Sequence, residues 1–118
     1  MKELAIIKQG ACGIEDIPFS IAVAAIVKNN RTNTEGIHFL IGDGFDLVEF
    51  IENNQLELKG KNLRFTESVF GNDILIKDFV EFSTVEDLVY EGIANEEEEF
   101  FSEKKLNIKF PVLFLNKN

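Results

Sequence analysis

One cysteine and one histidine are the residues of this sequence best suited to nucleophilic chemistry. Cys12 lies in the segment Gly-Ala-Cys-Gly after a short apolar run, and a glycine-flanked turn near a helix start stabilises a thiolate. The base that such a nucleophile needs would be His38, the only histidine. Nothing in the sequence brings the two residues together. We therefore expect Cys12 to be a small structural residue and His38 an ordinary strand residue.

A glycine turn and the carboxylates are the other candidate ligand sites. Gly42, Asp43 and Gly44 lie between a predicted strand and a predicted helix, but the segment lacks the GxGxxG and Walker patterns of phosphate-binding turns. Asp43 and Asp46 would repel phosphate, so a tight turn with positive φ is the better interpretation. The carboxylates do not follow EF-hand spacing. We predict no catalytic residue, no metal ligand and no cofactor.

The most distinctive pattern is a concentration of negative charge between Asp78 and Glu103, the acidic window. It holds ten of the chain's 21 acidic residues and no Lys or Arg, so the net charge of −9 is almost entirely local. Such uncompensated charge attracts an oppositely charged partner. Two aromatic residues follow four consecutive glutamates, the composition of a binding hot spot with a polar rim. The predicted partner-binding residues are Asp78, Glu81, Glu86, Asp87, Glu91, Glu96, Glu97, Glu98, Glu99, Phe100, Phe101 and Glu103.

Part of the acidic window has an explanation in local structure. Ser83 and Glu86 form a capping-box pattern, which predicts a helix over 83–93. Asn95 would cap a second helix over 95–105, with the four glutamates in the first turn, where the helix dipole favours negative charge. A solvated helix face is thus the competing explanation of the charge, and core packing is the competing explanation of at least one of the two aromatic residues.

Alternating apolar and charged residues predict a β-meander over about 56–82. Its first two strands, 56–59 and 63–65, flank a Lys-Gly-Lys-Asn turn, and its third strand spans 74–82. The alternation slips at Lys77, which indicates a bulge.

Segment 17–28 admits two interpretations. An N-cap oxygen from Asp16, Pro18 at an early position and the spacing of the apolar residues favour a helix. Several β-branched residues favour a buried strand instead. We take the helix as the prediction and the strand as its alternative.

The remaining elements complete a predicted α+β fold. A short amphipathic helix is predicted over 45–53, and strands are predicted over 4–7, 37–41 and 108–114. Pro111 cannot donate a ladder hydrogen bond, so 108–114 is predicted to be an edge strand. We expect residues 1–118 to form a single α+β domain, a mostly antiparallel sheet packed by two to four short helices.

These features predict a binding protein rather than an enzyme. One cysteine excludes an internal disulfide, no secretory signal is visible, and the apolar run 17–27 is too short for a bilayer, so we expect a cytoplasmic protein and no membrane partner. A pI near 4.6 argues against nucleic acid as a partner. The expected partner is a basic protein, most concretely a nuclease-type toxin, which would make the chain a bacterial immunity protein.

Three alternatives stay open at this point. The first is a phage or mobile-element inhibitor of a host defence nuclease, with the same acidic surface acting as a nucleic-acid mimic. The second, from another class, is a small enzyme or ligand-binding domain that uses Cys12, His38 or the glycine turn. The third is a structural subunit that pairs through the strand 108–114. The sequence leaves the oligomeric state open.

Overall fold

The chain folds into a curled, six-stranded mixed β-sheet with one α-helix among the described residues. The computed structural model describes residues 4–13, 16–18, 20–66, 73–81, 85 and 109–117. The elements are β1 (Leu4–Gly13), β2 (Val23–Asn29), β3 (Thr34–Gly42), α1 (Leu47–Leu58), β4 (Asn62–Arg64), β5 (Asp73–Val80) and β6 (Lys109–Lys117). The predicted α+β class with two to four helices is therefore wrong, because the described chain is mostly β.

The sheet is a half-barrel with the strand order β1-β6-β3-β2-β5-β4. Neighbouring strands are antiparallel except for β3 and β6, which are parallel. The two edge strands approach each other, because Ile6 of β1 forms an isolated parallel bridge with Phe65, directly after β4. The N–H of Thr66 also donates to the Ile6 carbonyl at 2.9 Å. The two edge regions of the half-barrel are thus in contact at one point of its open side.

The inner face of the half-barrel holds the larger of two apolar clusters. This inner cluster collects side chains from all six strands. Helix α1 packs on it through Leu47, Ile51 and Leu58, which share one face of the helix. Complete burial of an aliphatic side chain of this size stabilises the fold by about 1.5–3 kcal/mol. No polar or charged residue is buried among the described residues, so the inner face is stabilised by apolar contact.

The outer face carries a second cluster around Phe39 and Val112, which are both 0% exposed. The Phe39 ring meets the Phe110 ring edge-on, with centroids 5.5 Å apart. Ile17 from the segment before β2 and Val85 from the acidic window also belong to this outer cluster. The sheet is therefore covered on both faces near its centre.

The predicted helix over 17–28 is wrong, and the alternative of a buried strand is confirmed for its second half. Two N–H groups bond back to the Pro18 carbonyl, each at 2.9 Å, and form a single turn before β2 begins at Val23. β2 lies between β3 and β5, with Ala24 in the outer cluster and Val27 in the inner one. Burial on both faces together with β-branched side chains favours a strand over a helix.

Helix α1 extends beyond the predicted helix 45–53 and replaces the first predicted strand of the meander, 56–59. The chain does not stop at Asn54 but kinks there (φ −131°), and the Asn54 side chain donates to the Phe50 carbonyl at 2.8 Å. The helix then continues to Leu58, which is 1% exposed. Burial of Leu58 in the inner cluster favours the helix more than the alternation of apolar and charged residues favours a strand, since tertiary packing supplies most of a helix's stability. The other two meander strands are confirmed as the antiparallel pair β4 and β5.

The remaining predictions on strands agree with the structure in most respects. Segments 4–7, 37–41 and 74–80 lie in β1, β3 and β5. The predicted bulge is confirmed, because Ile26 of β2 pairs with Asp78 and Val27 pairs with Ile76, which leaves Lys77 as the extra residue. Both Lys77 and Asp78 are exposed as a result.

Strand β6 is not the predicted edge strand, since it lies between β1 and β3. Pro111 pairs with Ala11 of β1, whereas the pairing with β3 begins only at Val112. Pro111 therefore has a strand on one side only, and its missing N–H breaks no ladder. The hypothesis of a subunit that pairs through 108–114 is disfavoured, because β6 has a strand on both sides from Val112 to Leu115.

Most of the acidic window lies in the connection between β5 and β6. These two strands run parallel, and β2 and β3 lie between them in the sheet. Val85 is 1% exposed in the outer cluster, and its N–H donates to the Glu81 carbonyl at 3.2 Å. The connection therefore starts on the outer face. Apart from Val85, the predicted helices 83–93 and 95–105 lie outside the described residues.

Candidate partner-binding surface

The described part of the acidic window contributes two exposed carboxylates, Asp78 and Glu81. Asp78 sits at the β5 bulge, where its Oδ1 accepts the N–H of Phe79 at 2.9 Å and lies 3.4 Å from the Nζ of Lys59. Both side chains of this ion pair are about half exposed, 53% and 55%. Glu81 follows the end of β5, and no described cation pairs with it. Of these two predicted binding residues, Glu81 is thus the one whose charge no cation in the described part of the chain compensates.

The other predicted binding residues fall outside the described residues. They are Glu86, Asp87, Glu91, Glu96, Glu97, Glu98, Glu99, Phe100, Phe101 and Glu103. The structure does fix where the chain leaves and rejoins the sheet around them, at the end of β5 and the start of β6. Their role in binding stays a prediction from the sequence.

A second acidic surface, which we did not predict from the sequence, covers the exposed side of helix α1 and the turn before it. Its five carboxylates are all exposed: Asp43, Asp46, Glu49, Glu52 and Glu57. The signal was present in the sequence, since no Lys or Arg occurs between Arg31 and Lys59. A charge count over the whole chain does not reveal this acidic surface, because the lysines and arginines of other segments balance these five acids.

The first carboxylates of this α1 surface have a structural role. The Oδ1 of Asp46 accepts the N–H of Glu49 at 3.0 Å, and the Asp46 carbonyl accepts the N–H of Phe50 at 3.1 Å. Asp46 is therefore the N-cap of α1, and the helix dipole favours the negative charges of Asp46 and Glu49 at this end. Glu57 lies in the last turn, which contains no basic residue, so the dipole disfavours its charge.

Cys12 and His38 are kept apart by the sheet itself. Cys12 packs against the outer cluster, opposite Phe110. His38 lies between Ile37 and Phe39 in a regular strand, and both of these neighbours face the outer cluster, so His38 faces the inner side. Strand β6 also lies between the two strands that carry them. A nucleophile and base pair between Cys12 and His38 is therefore impossible in this fold.

The His38 ring is partly buried, and its surroundings favour the neutral form. Burial lowers the pKa of His38 below its ordinary value of 6.5, and a contact of 3.4 Å from Nδ1 to the Gly36 carbonyl opposes this effect without cancelling it. Such a histidine is neutral at physiological pH, and no described carboxylate bonds to it. It has the environment of a packed strand residue, as we predicted.

The segment Gly42-Asp43-Gly44 is a tight turn, which agrees with the prediction. Gly44 has φ +73°, a value that favours glycine. At Gly42 a side chain is excluded, because a Cβ would lie 2.7 Å from the Phe45 carbonyl oxygen. The N–H of Asp43 donates to the Leu115 carbonyl at 2.7 Å and is not available to a phosphate. The turn joins β3 to α1 and offers no anion site.

Three further observations bear on the class of protein. Among the described residues no group of three or more His, Cys, Asp or Glu side chains is arranged to hold a metal ion. No helix in the described part of the chain has the length and apolar character needed to cross a membrane. Comparison with protein-family models, with curated proteins and with solved structures gives no significant match.

Proposed function

We propose that this chain is a small acidic binding protein that neutralises a basic protein partner, most concretely an immunity protein that inhibits a nuclease-type toxin. The observation that carries the proposal is the acidic window, ten carboxylates without one Lys or Arg from Asp78 to Glu103. A nuclease binds the phosphates of its substrate through basic residues. A surface of dense carboxylates competes for those residues through the same electrostatic attraction.

The fold supports this proposal by the way it holds the ends of the window. β5 and β6 each lie between two other strands of the sheet, and Val85 is buried in the outer cluster only a few residues into the connection. Glu81 is exposed at the start of the connection. A binding segment that is attached at both ends to a packed sheet loses less conformational entropy on association than a free tail.

The separation of Cys12 from His38 also favours a binding protein over the small enzyme that the sequence left open. The free, partly buried thiol of Cys12 fits a reducing compartment, so we place the protein in the cytoplasm. Neutralising a toxin there requires rapid association, which long-range attraction between opposite charges provides.

The test is capture of the partner followed by an inhibition assay. The chain and a variant in which Glu96, Glu97, Glu98 and Glu99 are all changed to Gln are immobilised and exposed to a lysate of the native host. We expect a basic protein that the original chain retains and the variant releases. The purified captured protein should be toxic or nucleolytic by itself, and one equivalent of the chain should abolish that activity. Equal retention by both, or a captured protein whose activity the chain leaves unchanged, would contradict the proposal.

A further inference from the structure

Some backbone N–H and C=O groups of β1 point away from the neighbouring strand β6, toward the open edge of the sheet. The Leu115 carbonyl of β6 accepts the N–H of Asp43, on the side of β3. Pro111 lies four residues earlier in β6, so its backbone points to the same side, away from β1. Its partner Ala11 therefore forms a non-hydrogen-bonded pair and directs its N–H and C=O away from β6.

The same alternation fixes the orientation of the neighbouring residues. Ile6 pairs with Leu115 and should also point outward, and its carbonyl does accept an outside donor, the N–H of Thr66 at 2.9 Å. After the bulge between Ile6 and Lys8, Gln9 pairs with Leu113 and Gly13 pairs with Lys109. Leu113 and Lys109 each lie two residues from Pro111, so their backbone groups point the same way as those of Pro111. Gln9, Ala11 and Gly13 thus present three N–H and three C=O groups on the open edge.

This edge is accessible. Gln9, Gly10 and Ala11 are exposed and Gly13 is partly exposed, and no backbone hydrogen bond joins the outward groups to another described residue. Natural sheets protect an edge with charged residues, proline or bulges. β1 has such protection at Lys8 and the bulge beside it, but segment 9–13 contains no charge and no proline. Its side chains are small apart from Gln9, so another strand can approach closely.

We propose that segment 9–13 pairs antiparallel with the same segment of a second copy of this chain, around a two-fold axis at Ala11. The axis places Ala11 opposite Ala11 and Gln9 opposite Gly13, and all six outward groups of each chain find partners. An axis at Gly10 would leave the groups of Gly13 without partners. The proposal is independent of the proposed toxin inhibition.

The outward groups of Gln9, Ala11 and Gly13 are spaced symmetrically about Ala11 and so match those of a second copy, and the local charge permits this contact. β1 and β6 contain no Asp or Glu, whereas the chain as a whole carries −9. The segments that face each other therefore bring no carboxylate of their own into the contact, and the first acidic residues beyond them in the sequence are Glu15 and Asp16. Within the two β1 strands the nearest charges are the two Lys8 side chains, six residue spacings apart, about 20 Å. A pair of short strands covers less than the ~1,200 Å² of a stable interface, so we expect a weak dimer that depends on concentration.

The most specific test is a disulfide across the proposed contact. The axis places Gly10 directly opposite Cys12 of the second copy, in a non-hydrogen-bonded pair with Cα atoms about 4.5 Å apart, within the range of a disulfide. Among the described residues, a Cβ at Gly10 would meet only the Phe114 ring, at 4.0 Å, so Gly10→Cys should fold normally. Within one chain, Cβ atoms at positions 10 and 12 are about 6.6 Å apart, too far for the ~3.8 Å of a disulfide.

Under mild oxidation at about 100 μM protein, we expect Gly10→Cys to form a covalent dimer at least tenfold faster than two controls. The controls are the unchanged chain, which has Cys12 alone, and the double variant Gly10→Cys/Cys12→Ser. Non-reducing electrophoresis measures the rates, and a reductant should return the dimer to monomer. Equal rates in Gly10→Cys and the double variant would overturn the proposal.

A second test uses no cysteine chemistry. Ala11→Pro removes an outward N–H without breaking a bond to β6, whereas Ala11→Val keeps that N–H. In sedimentation experiments from 10 μM to 1 mM, we expect the average mass of the unchanged chain and of Ala11→Val to rise with concentration. The rise should be larger at high salt, which screens the repulsion between the two copies. Ala11→Pro, with folding checked by circular dichroism, should stay monomeric. A monomeric unchanged chain at 1 mM, or equal association of the two variants, would refute the dimer.

Discussion

The Nζ of Lys59 lies 3.4 Å from the Oδ1 of Asp78, so the first carboxylate of the acidic window is paired with a cation from outside the window. Lys59 follows directly after α1, and Asp78 sits at the bulge of β5. In the sequence Asp78 has no basic residue in its window, but in the fold Lys59 partly compensates its charge. Glu81 is the first carboxylate of the window that no described cation neutralises.

This ion pair predicts that Lys59→Ala will strengthen the attraction for a basic partner. The change frees Asp78 and removes one positive charge, so we expect the association rate with the captured partner to rise about twofold at low salt. Stability should change by less than about 1 kcal/mol, because both side chains are half exposed. Arg31→Ala is the matched control, since it removes the same charge from an exposed turn without freeing a carboxylate. An equal acceleration by both variants would show that the Asp78 pair has no specific role.

Gly42→Ala should destabilise the connection between β3 and α1. The new Cβ would lie 2.7 Å from the Phe45 carbonyl oxygen and 3.0 Å from the Leu47 Cβ, and Leu47 is part of the inner cluster. Displacing this backbone should lower the free energy of unfolding by about 1–3 kcal/mol. Gly36→Ala in the same strand is the control, because its new Cβ would have no described neighbour within 4 Å. Urea unfolding of the two variants checks the prediction, and equal midpoints would contradict it.

Asp46→Ala should weaken the start of α1. The Asp46 carboxylate accepts the N–H of Glu49 at 3.0 Å, and loss of such a cap lowers the free energy of unfolding by about 0.5–2 kcal/mol. Asp46→Asn keeps an oxygen acceptor and should lose only a fraction of this. If thermal or urea unfolding gave the same loss for Asn and Ala, the dipole interaction of the charge rather than the cap would be responsible.

His38 predicts a specific dependence of stability on pH. Burial lowers the pKa of His38 in the folded chain below 6.5, so between that lowered pKa and 6.5 the unfolded chain binds more protons than the folded one. The stability that His38 provides is therefore present above pH 6.5 and is lost as the pH falls toward the folded pKa. Urea midpoints from pH 7.5 to 5.5 should fall less steeply for His38→Gln than for the unchanged chain. Parallel curves for the two proteins would show that His38 is not the group responsible.

The sequence predicted well where one physical signal dominated. Alternation and β-branched residues were sufficient for β3 and β5, and the slip at Lys77 did indicate the bulge. The helix beginning near 45 was recognised because Leu47, Phe50 and Ile51 share one face, and the structure adds Asp46 as its cap. Both the alternation and the helical spacing are local, so no knowledge of the sheet order was needed.

The errors arose where the tertiary context decides the outcome. Segment 17–28 has helical spacing as well as β-branched residues, and only its place between β3 and β5 makes the strand the better solution. Pro111 led to the prediction of an edge strand, but one strand can have two neighbours over part of its length and one neighbour over the rest. The acidic surface of α1 was missed because the charges were summed along the chain rather than over a surface.

The candidate site shows the same division. The sequence identified the acidic residues of the window, and it was right that the glycine turn is structural. It could not show that Cys12 and His38 lie on opposite faces of the sheet, because their separation depends on the position of β6 between their strands. It also gave no sign that Asp78 would be paired with Lys59.

The central claim is that the acidic window, and not the net charge alone, recognises a basic partner. The most direct measurement is the association rate constant with the captured partner as a function of salt, for two variants that each remove four negative charges. One variant changes Glu96, Glu97, Glu98 and Glu99 to Gln. The other changes the α1 surface, with Asp43 to Asn and Glu49, Glu52 and Glu57 to Gln, while the cap Asp46 is kept. We expect the first variant to associate about tenfold more slowly at low salt with a flattened salt dependence, and the second to lose much less. Equal losses in the two variants, or an unchanged rate in the first, would contradict the claim.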